Sequence, residues 1–205
     1  MIKNNFFHKK ISLYLCFLVF CLFAYTQEEN NCFRFIDSAD VYIDYNSEKA
    51  LSFLEAIPKP IEENIPGRVA DYYYLKALIY DDYKEFASYH QCVILAIKYA
   101  EKENNFCVAG EACIGLFSNL YYTKQDVSVY KYLDKARAYY AKCDFEYGNI
   151  EVTEVEAYAK FLDGDYKACN NLLLNELDTY KNINEDPYYY MFALYMLFFK
   201  LYLFK

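Results

Sequence analysis

The chain has 205 residues, 56% of them hydrophobic and 24% charged, and a formal net charge of −8; that size and apolar content suit one folded domain and exclude a disordered tail. Five glycines and four prolines are too few for a collagen-like chain, a flexible linker, or an all-β fold that turns every ~10 residues. The acidic balance excludes nucleic acid as the main partner, because phosphate contacts need clustered lysine and arginine.

The first 26 residues differ from the rest. Lys3, Lys9 and Lys10 appear before any acid, Ile11 to Tyr25 is an unbroken apolar or near-apolar run, and Thr26 to Glu29 is polar. Basic, apolar, then polar is the layout of a secretory signal peptide, and the run is shorter than the ~20 residues of a spanning helix. Residues 1–26 are therefore expected to be a cleaved signal peptide or an uncleaved N-terminal anchor. Either places the chain outside the cytoplasm, periplasmic or on a membrane facing the periplasm. Cleavage would remove three lysines and no acid, moving the net charge to −11.

Six cysteines lie beyond that point: Cys32, Cys92, Cys107, Cys113, Cys143 and Cys169. An even number in an exported chain permits disulfides. Most, however, occupy apolar helical positions that want a small buried residue, and no two form a CxxC pair that would suggest zinc or redox chemistry. The expectation is mostly buried thiols, with a Cys107–Cys113 or Cys32-linked bridge as the alternative.

From residue 33 onward the apolar period is helical. Phe86, Tyr89, Val93, Ile97 and Ala100 share a face, as do Val129, Leu133, Ala136 and Tyr140, then Val152, Val155, Ala159 and Leu162, then Tyr166, Cys169, Leu173 and Leu177; each set follows the spacing of an amphipathic helix. Polar breaks at Asn46-Ser47, Asp82-Tyr83, Gln125-Asp126 and Gly164-Asp165 are separated by 36, 43 and 39 residues. The expected architecture is all-α, built as helix pairs near 33–57, 67–102, 106–142 and 150–181. A repeat of that length made of helix–turn–helix units is the mark of an α-solenoid.

The stretch Ala157-Tyr158-Ala159-Lys160-Phe161-Leu162-Asp163-Gly164-Asp165-Tyr166, with small Cys169 three residues after the tyrosine, resembles the tetratricopeptide repeat family. Asn46 to Pro58 and Val129, Leu133 and Ala136 resemble it at the same offsets. The repeats here are longer than the family's, the family's Trp is absent, and Phe86 stands where a small residue is expected. The resemblance spans residues 33–205 and implies a superhelix of about four helix pairs plus an unpaired final helix. The layout, a leader followed by such repeats, also resembles the extracytoplasmic repeat domain of Bacteroidetes-type transmembrane regulators. That likeness implies a sensory or interaction role.

Asp186-Pro187 reads as a helix start, and residues 187–205 would extend about 28 Å as a helix. Their only charges are Lys200 and Lys205, so the segment should be buried or membrane-associated. Tyr189, Phe192, Met196 and Phe199 are its candidate docking residues, toward a protein partner or a membrane.

Catalytic chemistry finds little support. His90 is the only histidine beyond the leader, which removes two-histidine metal sites and leaves a Cys–His or Ser–His pair only one possible base. Glu151, Glu154 and Glu156 gather at a helix start, where acids favour the helix dipole. Asn182, Asn184 and Asp186 alternate as in a calcium loop, but Pro187 stands where the EF-hand needs glycine. The expectation is therefore a non-enzyme with no cofactor and no bound metal, and a protein or peptide as partner. Tyrosine anchors interfaces well. First helices line the groove in the resembled family, so Tyr73, Tyr74, Lys76, Asn119 and Tyr122 are the groove candidates. Two roles compete: the sensory part of a transmembrane regulator, or a free-standing periplasmic adaptor docking through its C-terminal helix.

Overall fold

A computed structural model describes residues 31–124, 127–143, 145 and 147–180, and every regular element among them is helical. In chain order these are α1 (31–42), α2 (Ser47–Glu55), α3 (Ile61–Asn64), α4 (Val69–Asp82), α5 (Phe86–Glu103), α6 (Phe106–Lys124), a 3-10 turn (Val127–Tyr130), α7 (Lys131–Tyr140), α8 (Gly148–Leu162) and α9 (Tyr166–Tyr180). The all-α class and the pair boundaries agree with the sequence pattern. Short α3 falls inside the proline-bounded junction. Residues 181–205, with the expected final helix, lie outside the described residues, as does the leader. Among the described residues no helix is long and apolar enough to cross a membrane.

Three helix ends close in the same way. Lys84, Asn104 and Gly164 take left-handed backbone with φ of 60°, 58° and 76°. The next amide in each case reaches back five residues: Glu85 to the Tyr80 carbonyl at 2.8 Å, Asn105 to Ala100 at 2.9 Å and Asp165 to Lys160 at 2.9 Å. This is the Schellman closure, which satisfies carbonyls that a helix end would otherwise leave bare. The following helix then starts on the same residue. Asn105 Oδ1 accepts from the Val108 amide at 3.4 Å, and Asp165 Oδ1 from the Ala168 amide at 3.1 Å. Glycine adopts φ > 0 freely; the lysine at 84 does so against its Cβ.

The chain divides into two units, one ending at Cys92 and one beginning at Val93, within α5. In the first, Ile36, Ala50, Leu54, Ile65, Ala70 and Ile79 are fully enclosed, and α2 packs on α4. Asn46 caps α2 by accepting the Lys49 amide at 3.0 Å, a contact typically worth about 1 kcal/mol. The Ser47 hydroxyl donates to Asp82 at 2.7 Å, joining the start of α2 to the end of α4. Arg68, just before α4, donates to Asp71 at 2.6 Å and also to Asp37 on α1.

In the second unit α6 packs against α7 and α8, α7 against α8, and α8 against α9. Its central contact is Tyr140, the last residue of α7 and itself buried. A Cβ added at Gly110 on α6 would lie 2.8 Å from the Tyr140 ring, and one at Gly148 on α8 only 2.3 Å. Both glycines therefore exist to admit one aromatic ring between two helices. The Tyr140 hydroxyl donates to Glu151 at 3.2 Å, one turn into α8. Alongside, a Cys107–Cys143 disulfide with Cα atoms 5.4 Å apart ties the start of α6 to the residues just past α7. This corrects the expected pairing. Cys107 and Cys113 sit six residues apart on one helix, a rise of about 9 Å, beyond the Cα separation of roughly 7 Å that a disulfide spans. Cys32, Cys92, Cys113 and Cys169 are buried and stand outside this disulfide.

Gly148→Ala should destabilise the chain by about 1–3 kcal/mol through overpacking, although alanine alone favours a helix by about 1 kcal/mol. Gly110→Ala should cost less. Urea midpoints of the purified variants check this; a neutral or stabilised Gly148→Ala would show that the ring does not occupy this seat.

Candidate functional site

The starts of α6 and α8 meet at Tyr140, and their ends meet at a second tyrosine cluster. The Tyr121 hydroxyl on α6 lies within reach of two acceptors on α8, the Asp163 carboxylate and the Ala159 carbonyl at 3.1 Å. A phenol has one proton to donate, and the charged acceptor forms the stronger bond. Tyr130 also donates to Asp163, at 3.4 Å, and carries Lys160 over its ring at 4.2 Å. Contacts at both ends make α6 and α8 run parallel, side by side.

One consequence is an outward pair. Tyr121 is buried, while its neighbour Tyr122 is 44% exposed and meets Tyr158 edge-on at 5.9 Å. Tyr158 is 38% exposed and Leu162, one turn further, 50% exposed. Helical spacing continues this face backward through Asn119, Ser118, Gly115 and Glu111 on α6, and through Val155, Glu154 and Glu151 on α8. The three glutamates do not act together. Glu151 takes the Tyr140 hydroxyl and Glu156 takes Arg137 at 2.5 Å. Burial raises the Glu151 carboxyl from its ordinary value, and the Tyr140 hydrogen bond opposes that rise.

The groove candidates fall in different places. Asn119 and Tyr122 belong to this α6–α8 face, with Asn119 half-buried. Tyr73, Tyr74 and Lys76 are half-buried on α4, in the first unit. Tyr72, the triplet's buried member, packs edge-on against Tyr73 at 5.2 Å. The Lys76 ammonium sits 5.7 Å from both the Tyr72 and Tyr80 rings. Burial lowers the Lys76 pKa, but Tyr72, Tyr80 and Cys92 raise it, and the net shift is upward. Tyr189, Phe192, Met196 and Phe199 lie outside the described residues. Sequence reasoning passed over Tyr158 and Leu162, although the first-helix rule that picked Tyr122 selects Tyr158 one repeat later.

Among the described residues no three His, Cys, Asp or Glu side chains are grouped to hold a metal ion. His90 is half-buried beside the Tyr89 ring, 5.5 Å between centroids.

Burial, then Asp163, pushes the Tyr121 phenol well above its ordinary value. Burial, then Tyr158, pushes Tyr122 up to about 12. An unfolded tyrosine ionises near pH ~10, so above that pH the unfolded chain sheds protons that the folded one retains. Their contribution to stability is therefore complete below pH ~10 and is lost as pH climbs toward 12. Tyr121→Phe should cost about 1–2 kcal/mol in urea at neutral pH, near the low end for a charged acceptor because Asp163 keeps access to water. The variant should also lose less stability than wild type between neutral and strongly alkaline pH; an equal alkaline loss would put the titration elsewhere. No family model, no curated protein and no solved structure matches this chain.

Proposed function

We propose that the chain is a non-catalytic helical-repeat scaffold of tetratricopeptide-like superhelical form that binds a protein or peptide outside the cytoplasm. The observation that carries this reading is the parallel α6–α8 arrangement. The first helix of one pair packs on its own partner and on the first helix of the next pair, and it leaves an exposed aromatic face. A stack of that kind builds a continuous binding surface without needing a reactive group. The recurring left-handed closures at Lys84 and Gly164, each between the two helices of a pair, support the repeat. Export is supported by the leader's charge pattern and by the Cys107–Cys143 bridge, since disulfides persist mainly in oxidising compartments. The layout resemblance makes the interaction part of a membrane-linked regulator the favoured role.

Selection of displayed 12-residue peptides on the folded full chain tests the scaffold reading. Convergent sequences that bind the purified chain are expected, and no enrichment over several rounds would sink it. For the compartment, fusing the chain to alkaline phosphatase in a bacterial host should give an active enzyme, and deleting residues 1–26 should abolish activity. Activity without the leader, or none with it, would remove the export reading.

A further inference from the structure

We propose that Tyr122 and Tyr158 form a site of oxidative modification, where a one-electron oxidant joins the two rings through a carbon–carbon bond and staples α6 to α8. The inference stands apart from the peptide-binding reading above. Dityrosine coupling asks three things of a tyrosine pair: rings in contact, both rings open to oxidant and water, and no cation holding the ring electrons. Tyr122 and Tyr158 meet edge-on with centroids 5.9 Å apart, within the range of touching rings. Both are exposed. Among the described residues no lysine stands over either ring.

Neighbouring pairs fall short of these conditions. Tyr72 with Tyr73, and Tyr121 with Tyr122, each contain a buried member. Tyr121 with Tyr130 shares that defect, and Lys160 sits over Tyr130. Tyr42 and exposed Tyr45 lie 5.2 Å apart, but Lys49 is centred 3.7 Å over the Tyr42 ring. A positive charge that close makes an electron harder to remove. Competing donors are few: the chain has no tryptophan, Cys107 and Cys143 are already oxidised, and Cys32, Cys92, Cys113 and Cys169 are buried.

In the coupling each phenol gives up one electron and its hydroxyl proton, the proton passing to water. The two radicals pair at the carbons ortho to oxygen, and each ortho hydrogen then moves to its phenol oxygen as a proton, restoring both rings. Two electrons and two protons leave in all; a peroxidase passes them to one hydrogen peroxide, which becomes two waters. Tyr140 in its slot and Tyr121 on Asp163 hold α6 and α8 abreast. Rotation of the two exposed side chains among their rotamers is then enough to bring the ortho carbons together.

The test exposes the dilute, folded full chain to a small one-electron oxidant, photolysed ruthenium tris-bipyridyl with persulfate. Monomer is then isolated by size exclusion and its proteolytic peptides are mapped by mass spectrometry. A linked pair of peptides carrying Tyr122 and Tyr158, two hydrogens lighter than its parts, should be the main intrachain dityrosine product. Tyr122→Phe and Tyr158→Phe, which keep the rings, should each remove most of the monomer's dityrosine fluorescence, and Tyr45→Phe should leave it unchanged. The linked monomer should unfold at higher urea than the untreated chain, because the link restricts the unfolded state, and Tyr158→Phe should abolish that shift. Intrachain dityrosine mapped mainly to another pair, or fluorescence that survives Tyr158→Phe, overturns the site. Monomer without dityrosine overturns the inference outright, since rings in contact should couple faster than rings on separate molecules. If a Phe variant melts early, the map of the wild-type chain decides alone.

Discussion

One aromatic ring holds the second unit in register. Tyr140 ends α7 and enters a slot that exists only because residues 110 and 148 lack side chains. The slot lies at the starts of two parallel helices, so it fixes their separation where side-chain packing between them begins. Buried rings of this size remove a large apolar area from water, and interiors packed to crystal density cannot absorb an extra methyl at so short a distance. The hydroxyl on Glu151 then sets the rotation of α8 about its axis. Which residues of α8 face outward, Tyr158 and Leu162 among them, depends on that rotation.

At the opposite end, Asp163 accepts from two phenols immediately before the left-handed Gly164. The same short stretch therefore closes α8, anchors α6 and begins α9 through Asp165. Turn chemistry and inter-helix contact are combined in three consecutive residues, Asp163-Gly164-Asp165, of which Asp163 is exposed and keeps its charge hydrated. The disulfide and the Arg137–Glu156 pair supplement this frame. Arg137 and Glu156 are partly exposed, and such a pair contributes up to about 1 kcal/mol.

Much of this architecture was legible in the residues. Amphipathic spacing is a local property, so the helices and their pairing followed directly, and Gly164-Asp165 announces its own turn. Lys84 does not, because nothing in a lysine side chain marks left-handed backbone; only the demand of the closing hydrogen bonds puts it there. The Cys107–Cys143 bridge was illegible for a different reason. It joins the two open ends of a helical hairpin, so it depends on the hairpin's register and not on any local motif. The seat of Tyr140 needs two glycines from different helices to be read as one feature. On the candidate face, Tyr122 was found because first helices line the groove in the resembled family, whereas Tyr158 was absorbed into the turn motif that follows it. The α4 trio remains a separate cluster in the first unit, since sequence position on a first helix says nothing about which neighbours a tyrosine meets.

The bridge also closes a covalent ring of residues 107–143 that contains most of α6, the 3-10 turn and all of α7. A protease cutting any peptide bond inside that ring leaves both fragments joined through sulfur. The nicked chain can therefore keep Tyr140 in its slot, and its outward tyrosines in place, until a reductant separates the pieces. A single cut in this region is therefore damage the fold can survive while the bridge holds.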